Sequence, residues 1–369
     1  MGCPYGCGDR TPITTFQIKI DSKAIFLQGL SLGLILLTAC TREVIPFGKE
    51  IPNPSQLDTV LGRGKLICGV SGEVPGFTSV DSNGKYSGLE VDLCRAISSA
   101  LFDNPEKVEY RNLGGKERFK ALQTGEVDLL ACNATWTLVR DTEMGLEFGP
   151  ITFYDSQGIM VRKDSKIESI EGMRNATICV QNGTTSQLNL AEQMRKQNID
   201  YKPLLFKDFD STHLAYEAGR CVGVSGDRSA LAARRTILPN PADHELLDVN
   251  LSKEPLAAAV KDDDARWFDA VKWMMFATIE AEDLGITSKN LSQQASSNNS
   301  EVKRFLGIEG DLGKNMGLPN DFAARIVKHV GNYAEIYDRN LGPNTTLNLP
   351  RGLNRLWRNG GLLYSPPFR

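Results

Sequence analysis

From residue 65 to residue 281 the chain alternates short apolar runs with stretches whose apolar side chains recur every three or four positions. Few folds remain open to such a pattern. Strands alternating with helices bury a parallel or mixed sheet and lay the helices over its faces. Residues 65–70 read as a strand. Residues 90–102 read as a helix, with Leu89, Leu93, Ile97 and Leu101 at i, i+4 spacing. Strand 108–110, helix 118–124 stopped by Gly125, and strand 127–131 follow. A second set begins near Gly158, with strands at 158–161, 177–180, 201–206 and 222–225. Its helices start at Ser169 and cover 186–197, 213–218 and 229–235. Residues 255–260 then lead into a long helix over 265–281. Two similar α/β units therefore stand in series, the second inserted into the first. The expected lobes are 58–157 with 258–284, and 158–257, joined by crossings near 155–160 and 252–260. A crevice between such lobes closes on a small ligand by hinge motion, lined by loops at the carboxyl ends of the strands.

Residues 285–369 form the expected extension, packed on the first lobe. Its front, 288–307, is polar and reads as exposed, whereas 311–336 turns helical with Leu318, Phe322, Ile326 and Tyr333 inward. The end, 351–369, mixes aromatic residues and glycines.

The one long apolar run, AIFLQGLSLGLILLTA at 24–39, follows Lys19 and Lys23 and ends at Cys40. Sixteen residues fall short of the roughly 20 that span a bilayer, so the run reads as the apolar part of an export signal. Leu37-Thr38-Ala39-Cys40 resembles a bacterial lipobox, with Cys40 as the lipidated thiol. Secretion with another cleavage point and an uncleaved anchor are the rivals. Residues 1–18 are long for a basic leader, and Cys3 and Cys7 within them are weak grounds for a metal site. Residues 41–57, rich in Pro, Asn, Gly and Ser, read as a tether. Export permits disulfides. Pairs Cys68–Cys94 and Cys179–Cys221 would leave Cys132 free. The alternative is that all five are buried thiols, since free cysteine packs as a small apolar residue. Sequence does not fix which. A net charge of -3 gives no basis for nucleic-acid binding, which needs concentrated positive surface.

Asn133-Ala134-Thr135-Trp136-Thr137-Leu138-Val139-Arg140-Asp141 gathers amide, hydroxyl, indole and guanidinium groups just after a strand. The planar fork of Arg140 can hold both oxygens of a carboxylate. Gln181-Asn182-Gly183-Thr184-Thr185-Ser186 follows another strand, and Asp227 a third. Arginine, hydroxyls and an acid on loop ends suit an amino-acid zwitterion, which speaks for binding more than catalysis.

These motifs give the chain a family look. Gly88-Leu89-Glu90-Val91-Asp92-Leu93, Gly125-Glu126-Val127-Asp128-Leu129, the Thr135–Asp141 and Val180–Thr185 stretches, Ser225-Gly226-Asp227-Arg228-Ser229 and the terminal Arg351–Trp357 run follow one another in order. In that order and spacing, over residues 57–369, the chain resembles the polar amino-acid family of extracellular solute-binding proteins, and within it the general L-amino-acid subgroup. The resemblance implies a type II periplasmic-binding fold. It implies a receptor that hands an L-amino acid to an ABC permease driven by a cytoplasmic ATPase, working as a monomer without cofactor. With the lipobox, it implies an anchor to the cytoplasmic membrane. It assigns the ligand carboxylate to Arg140, with Thr135, Asn133 and Thr137 beside it and Thr184 and Thr185 opposite. It assigns the ammonium to Asp227, and packing over the ligand to Phe77. Gln181 stands where some relatives carry a basic residue, and Trp136 is either pocket wall or interlobe packing. Plainer roles stand beside these: helix capping for Asp227, Thr184 and Thr185, the start of the following turn for Thr137, a core turn for Phe77, a surface ion pair for Arg140. Ser225-Gly226 departs from the Thr-Thr pair of the subgroup, which leaves the side-chain range open. Breadth over polar, acidic and neutral ligands is expected.

A few members of this superfamily became dehydratases, so a related enzyme is the alternative. Catalysis needs a poised acid or base, and His213, His244 and His329 lie outside the motifs. No GxxxxGK[ST], HExxH or GxSxG occurs. A sensor ectodomain would need a membrane exit and a signalling unit downstream. A purely structural role leaves the Arg/Asp pair on two lobes unexplained.

Overall fold

The computed structural model describes residues 54–369. The apolar run, Cys40, Cys3 and Cys7 lie outside the described residues. The chain opens with helix α1 (Gln56–Arg63), capped by Ser55, whose hydroxyl accepts from Leu57 N. The tether expected up to residue 57 therefore ends earlier, because Leu57 and Val60 share a face that is fully buried.

The first lobe continues with β1 (Leu66–Val70), a small hairpin sheet of β2 (Glu73–Val74), β3 (Thr78–Val80) and β4 (Tyr86–Ser87), then α2 (Leu89–Phe102) and β5 (Val108–Asn112). Next come α3 (Glu117–Gln123), β6 (Leu129–Leu130), α4 (Leu138–Thr142) and β7 (Leu146–Asp155). One residue later the chain enters the second lobe: β8 (Gln157–Arg162), β9 (Thr177–Gln181), α5 (Thr185–Lys196), β10 (Lys202–Phe206), α6 (Phe209–Glu217), β11 (Gly223–Asp227), α7 (Arg228–Arg235) and β12 (His244–Leu246). It returns through β13 (Glu254–Lys261) into α8 (Ala265–Asp283). The two large sheets run β5-β1-β6-β13-β7 and β10-β9-β11-β8-β12. In each, three strands pair in parallel and one long strand, β13 in the first and β8 in the second, runs antiparallel to its neighbours. This is a two-lobed α/β fold of the type II periplasmic-binding kind.

The second crossing differs from expectation. Glu254 already faces Asp155 across the first sheet, and β13 follows β7 down to Lys261 opposite Leu146. Residues 254–257 thus belong to the first sheet, since one continuous strand completes the ladder from its first residue.

A disulfide joins Cys68 of β1 to Cys94 of α2, and another joins Cys179 of β9 to Cys221. Cys132 is buried and free. Each bridge pins one sheet to a neighbouring element and, on a chain-entropy basis, stabilises the fold by about 3–4 kcal/mol.

The extension carries α9 (Leu291–Gln294), α10 (Ser300–Phe305), α11 (Leu312–Asn315), α12 (Phe322–His329) and α13 (Tyr333–Asn340). Phe322, Ile326, Tyr333 and Ile336 share one core with Ile97, Leu101 and Met274 of the first lobe. Its front is less exposed than its polarity suggests. Val302 and Phe305 are buried, because the Phe305 ring packs against Phe368, 5.4 Å between centroids. Near the first crossing, the Asn354 amide accepts from Tyr154 N at 2.6 Å and donates to Tyr154 O at 3.1 Å. Tyr333 Oη donates to Thr152 O at 2.5 Å. The extension is stitched to β7 just before the chain changes lobe. Among the described residues no helix is long and apolar enough to cross a membrane.

Candidate ligand-binding cleft between the lobes

The central strands of both sheets end facing one another. Past β1 stands Ser71, past β6 Cys132 and Asn133, at the end of β9 Gln181, and at the end of β11 Asp227. Between them lies a cavity of about 80 Å³. That is room for a handful of water-sized positions, the scale of a free amino acid.

The first lobe supplies positive charge. Arg118, the second residue of α3, lines the cavity. Its Nη1 donates to Cys132 O at 2.6 Å, and its guanidinium lies 4.9 Å from the Phe119 ring. Arg140 lies 4.7 Å from the same ring and donates from Nη1 to Thr135 O at 2.8 Å. It is buried and, unlike Arg118, does not itself line the cavity. Burial, then the nearby Arg118, lowers the Arg140 guanidinium to about 10, while Cys132, Glu254 and Asp227 pull the other way. Arg140 remains cationic at neutral pH.

The second lobe supplies negative charge. Asp227 occupies the N-cap position of α7, yet among the described residues its side chain makes no cap bond. The carboxylate instead lines the cavity. Burial raises its pKa well above the ordinary range, with Asp155 and Glu254 adding repulsion and Arg118 and Arg140 opposing. Asp155, at the end of β7, accepts from Ser156 N at 2.8 Å and from the Ser229 hydroxyl. Burial pushes it up to about 6. An acid kept from ionising by burial and by other acids favours a bound cation.

Asn133 adopts a left-handed conformation, φ 49°, which asparagine tolerates better than most residues. The turn is held by Glu90, which accepts from Asn133 N at 2.5 Å and from Thr78 Oγ1 at 2.8 Å. Both amide atoms of Asn133 are buried without a hydrogen-bond partner among the described residues, as are Ser71 Oγ, Arg118 Nε and His213 Nε2. All four residues line the same cavity. Each such orphan costs about 1–3 kcal/mol until something bonds to it, so their convergence marks a ligand site.

The hydroxyls are engaged elsewhere. Glu254, only 1% exposed, accepts from Thr135 Oγ1 at 2.5 Å, Thr185 Oγ1 at 3.1 Å, Asn189 Nδ2 at 2.8 Å and the Ser252 hydroxyl. Thr135 belongs to the first lobe and Thr185 to the second, so this carboxylate fastens one to the other at the hinge. Thr184 caps α5, accepting from Gln187 N at 3.2 Å, though it also lines the cavity with Thr185. Thr137 caps α4, accepting from Arg140 N at 3.3 Å. Gln181 lines the cavity and reaches Lys207 O at 3.4 Å. Phe77 is set in the first-lobe core, edge-on to Phe153 at 5.0 Å, away from the cavity. Trp136 is 40% exposed and stacks on Phe148, outside the cavity wall.

Sequence reasoning missed Arg118, Glu254, Ser71 and His213. Arg118 had a readable signal, a helix start after Gly114-Gly115 at the end of a strand pattern, the same kind of place as the recognised clusters. His213 reads in the sequence as an ordinary helix residue; it lines the cavity because α6 turns this face toward the first lobe. Among the described residues no group of three His, Cys, Asp or Glu side chains is placed to hold a metal ion.

Residues 66–291 match the family model described as bacterial extracellular solute-binding proteins, family 3. The chain is 44% identical over 337 residues to the general L-amino acid-binding periplasmic protein AapJ of Rhizobium johnstonii, covering 91% of this chain and 99% of that one. It is 45% identical over 316 residues to the glutamate/glutamine/aspartate/asparagine-binding protein BztA of Rhodobacter capsulatus, covering 85% and 94%. A solved ABC transporter periplasmic binding protein from Brucella ovis, with glutathione bound, is similar with a TM-score of 0.84 and 43% identity, over 86% of this chain and 100% of that one. With two lobes, opposed charges in the crevice and a match of this extent, the chain belongs to family 3 of the bacterial extracellular solute-binding proteins.

Proposed function

We propose that this chain captures L-amino acids outside the cytoplasm and delivers them to the membrane permease of an ABC importer. The relatives named above are binding proteins, and this one is a receptor rather than an enzyme. The carrying observation is the pairing of opposite charge across one cleft: Arg118 on the first lobe, with Arg140 buried behind it over the same Phe119 ring, and Asp227 on the second. A zwitterion answers both at once. Arg140 and the Asn133 amide take the α-carboxylate, with the N-terminal end of α5 near Thr184 and Thr185 adding backbone donors. Asp227 takes the ammonium. Because the two charges belong to different lobes, the ligand stabilises closure through contacts that an open form lacks.

Cys40 is the proposed lipid attachment point, and the protein acts as a monomer. The mass of the mature N-terminal peptide tests the first point. Calorimetric titration of ligand-free protein with the twenty L-amino acids, and with glutathione, tests the function. Glutathione belongs in the panel because its γ-glutamyl end carries the same amino-acid head. Micromolar or tighter binding of several amino acids is expected; absence of heat and of any rise in melting temperature across the panel counts against the proposal.

A further inference from the structure

We infer that His213 reads the ligand side chain, accepting a hydrogen bond from the terminal N–H of a carboxamide. This rests on the amino-acid reading above and adds the side-chain class. His213 sits on α6, 2% exposed, its ring centroid 4.0 Å from that of Phe209. Its Nδ1 lies 2.8 Å from Phe209 O. A carbonyl oxygen only accepts, so Nδ1 carries the proton and, in a neutral ring, Nε2 bears the lone pair. Burial, and to a smaller degree Arg234 of α7, opposes a second proton, lowering the pKa to about 3 despite the Phe209 carbonyl. Nε2 is thus an acceptor, buried and without a partner among the described residues, on the wall of the cleft.

The donor it awaits comes from the ligand side chain, because the ammonium belongs to Asp227. Arg118, which lines the same cavity with its Nε unpartnered, can only donate and needs an oxygen. A cationic side chain would be repelled by Arg118. A side-chain carboxylate satisfies Arg118 but turns an oxygen lone pair toward Nε2. A carboxamide offers a carbonyl oxygen and an NH₂ on one planar group, and so answers both. The other acid on this part of the wall, Glu73, turns one oxygen to the start of α6, its Oε2 accepting from Phe209 N at 3.1 Å and Asp210 N at 3.3 Å. Glutamine and asparagine are therefore favoured over glutamate and aspartate by His213, whatever the other walls contribute.

The test is calorimetry of wild type and His213→Phe, which keeps a ring against Phe209, with glutamine, asparagine, glutamate, aspartate and alanine. Glutamine and asparagine should bind about tenfold to hundredfold more weakly to the variant, with glutamate and aspartate unchanged or tighter and alanine within about twofold. Equal affinity of both proteins for glutamine overturns the inference, and so does a uniform loss that includes alanine. Wild-type protein that binds none of the five overturns the amino-acid reading and this inference together. A second measurement needs no variant. In wild-type protein labelled with ¹⁵N-histidine, glutamine and not alanine should shift an unprotonated ring nitrogen. A histidine spectrum indifferent to bound glutamine overturns the assignment.

Discussion

The two walls of the cleft put burial to opposite use. On the first lobe, two guanidinium groups share the Phe119 ring, and each is steered by one backbone carbonyl. Delocalised, weakly hydrated charge tolerates such a place, and Arg140 drops only to about 10. On the second lobe, Asp227 stands with Asp155 and Glu254 as its charged neighbours, and its pKa climbs. Burial leaves the Arg140 guanidinium charged, whereas it pushes the Asp227 carboxyl toward its neutral form. A ligand with a single charge relieves one wall and leaves the other exposed to the cost. A zwitterion relieves both, and selection for the amino-acid head follows from that asymmetry.

The largest expected effect breaks the comparison outright. Asp227→Asn and Arg140→Met should each weaken every amino acid by about 2–5 kcal/mol, the cost of leaving a buried charge without its partner. Titration calorimetry on both variants checks this, with the melting temperature of the ligand-free protein as the control on folding. Wild-type affinity in either variant would remove that residue from the site.

Acid titration sharpens the same contrast, because the acids gathered around Asp227 respond. Asp155 holds its proton up to about 6 in the fold against an ordinary 3.8, and Asp227 is shifted in the same direction. The ammonium needs an ionised partner. Affinity should therefore fall, by up to about tenfold per pH unit, as acid protonates Asp227. The ligand-free fold goes the other way. Between the two values the native state binds more protons than the unfolded chain, so this contribution to stability is lost as pH rises through the window. Melting temperatures with and without ligand from pH 4 to pH 8 should converge at the acid end. Parallel curves would mean that the acid pair is not coupled to the ligand.

Much of this was legible in the chain, and what escaped did so for definite reasons. The strand and helix alternation shows in the sequence because each element repeats its own apolar period. Strand β7 escaped because Gly149-Pro150 sits inside it. Proline is tolerated there since β7 is an edge strand with register shifts opposite Leu256 and Ala257. Asp227 was readable from its place after a strand. The role of Thr135 was not, because Glu254 comes from 119 residues away and only the closed fold brings it near. His213 was invisible for a similar reason: its orphaned nitrogen is defined by a cleft between lobes, and no local pattern encodes that.

Glu254 belongs to neither wall and yet joins them, so its expected effect is smaller and blind to ligand identity. Glu254→Gln keeps the shape but loses the charge that strengthens the Thr135, Thr185 and Asn189 bonds. All ligands should weaken alike, by about 1–2 kcal/mol, as the balance moves toward an open form. Small-angle scattering of the ligand-free variant should show a larger radius of gyration. Selective loss of one ligand would mean instead that Glu254 touches the bound molecule.

The smallest effect marks where the first wall ends. Trp136 directly follows Thr135, but its indole is stacked on Phe148 with the rings 9° from parallel and 6.1 Å apart. Its backbone N–H donates to Pro255 O at 2.8 Å, a bond that any residue but proline can make. Trp136→Ala should therefore leave ligand affinity within about twofold and lower stability by about 1 kcal/mol, the value of an aromatic pair at a half-exposed site. A tenfold loss of affinity would extend the first wall past Thr135 and make the indole part of it. The charge asymmetry would then act alongside a hydrophobic surface, and side-chain breadth would have to be explained from both.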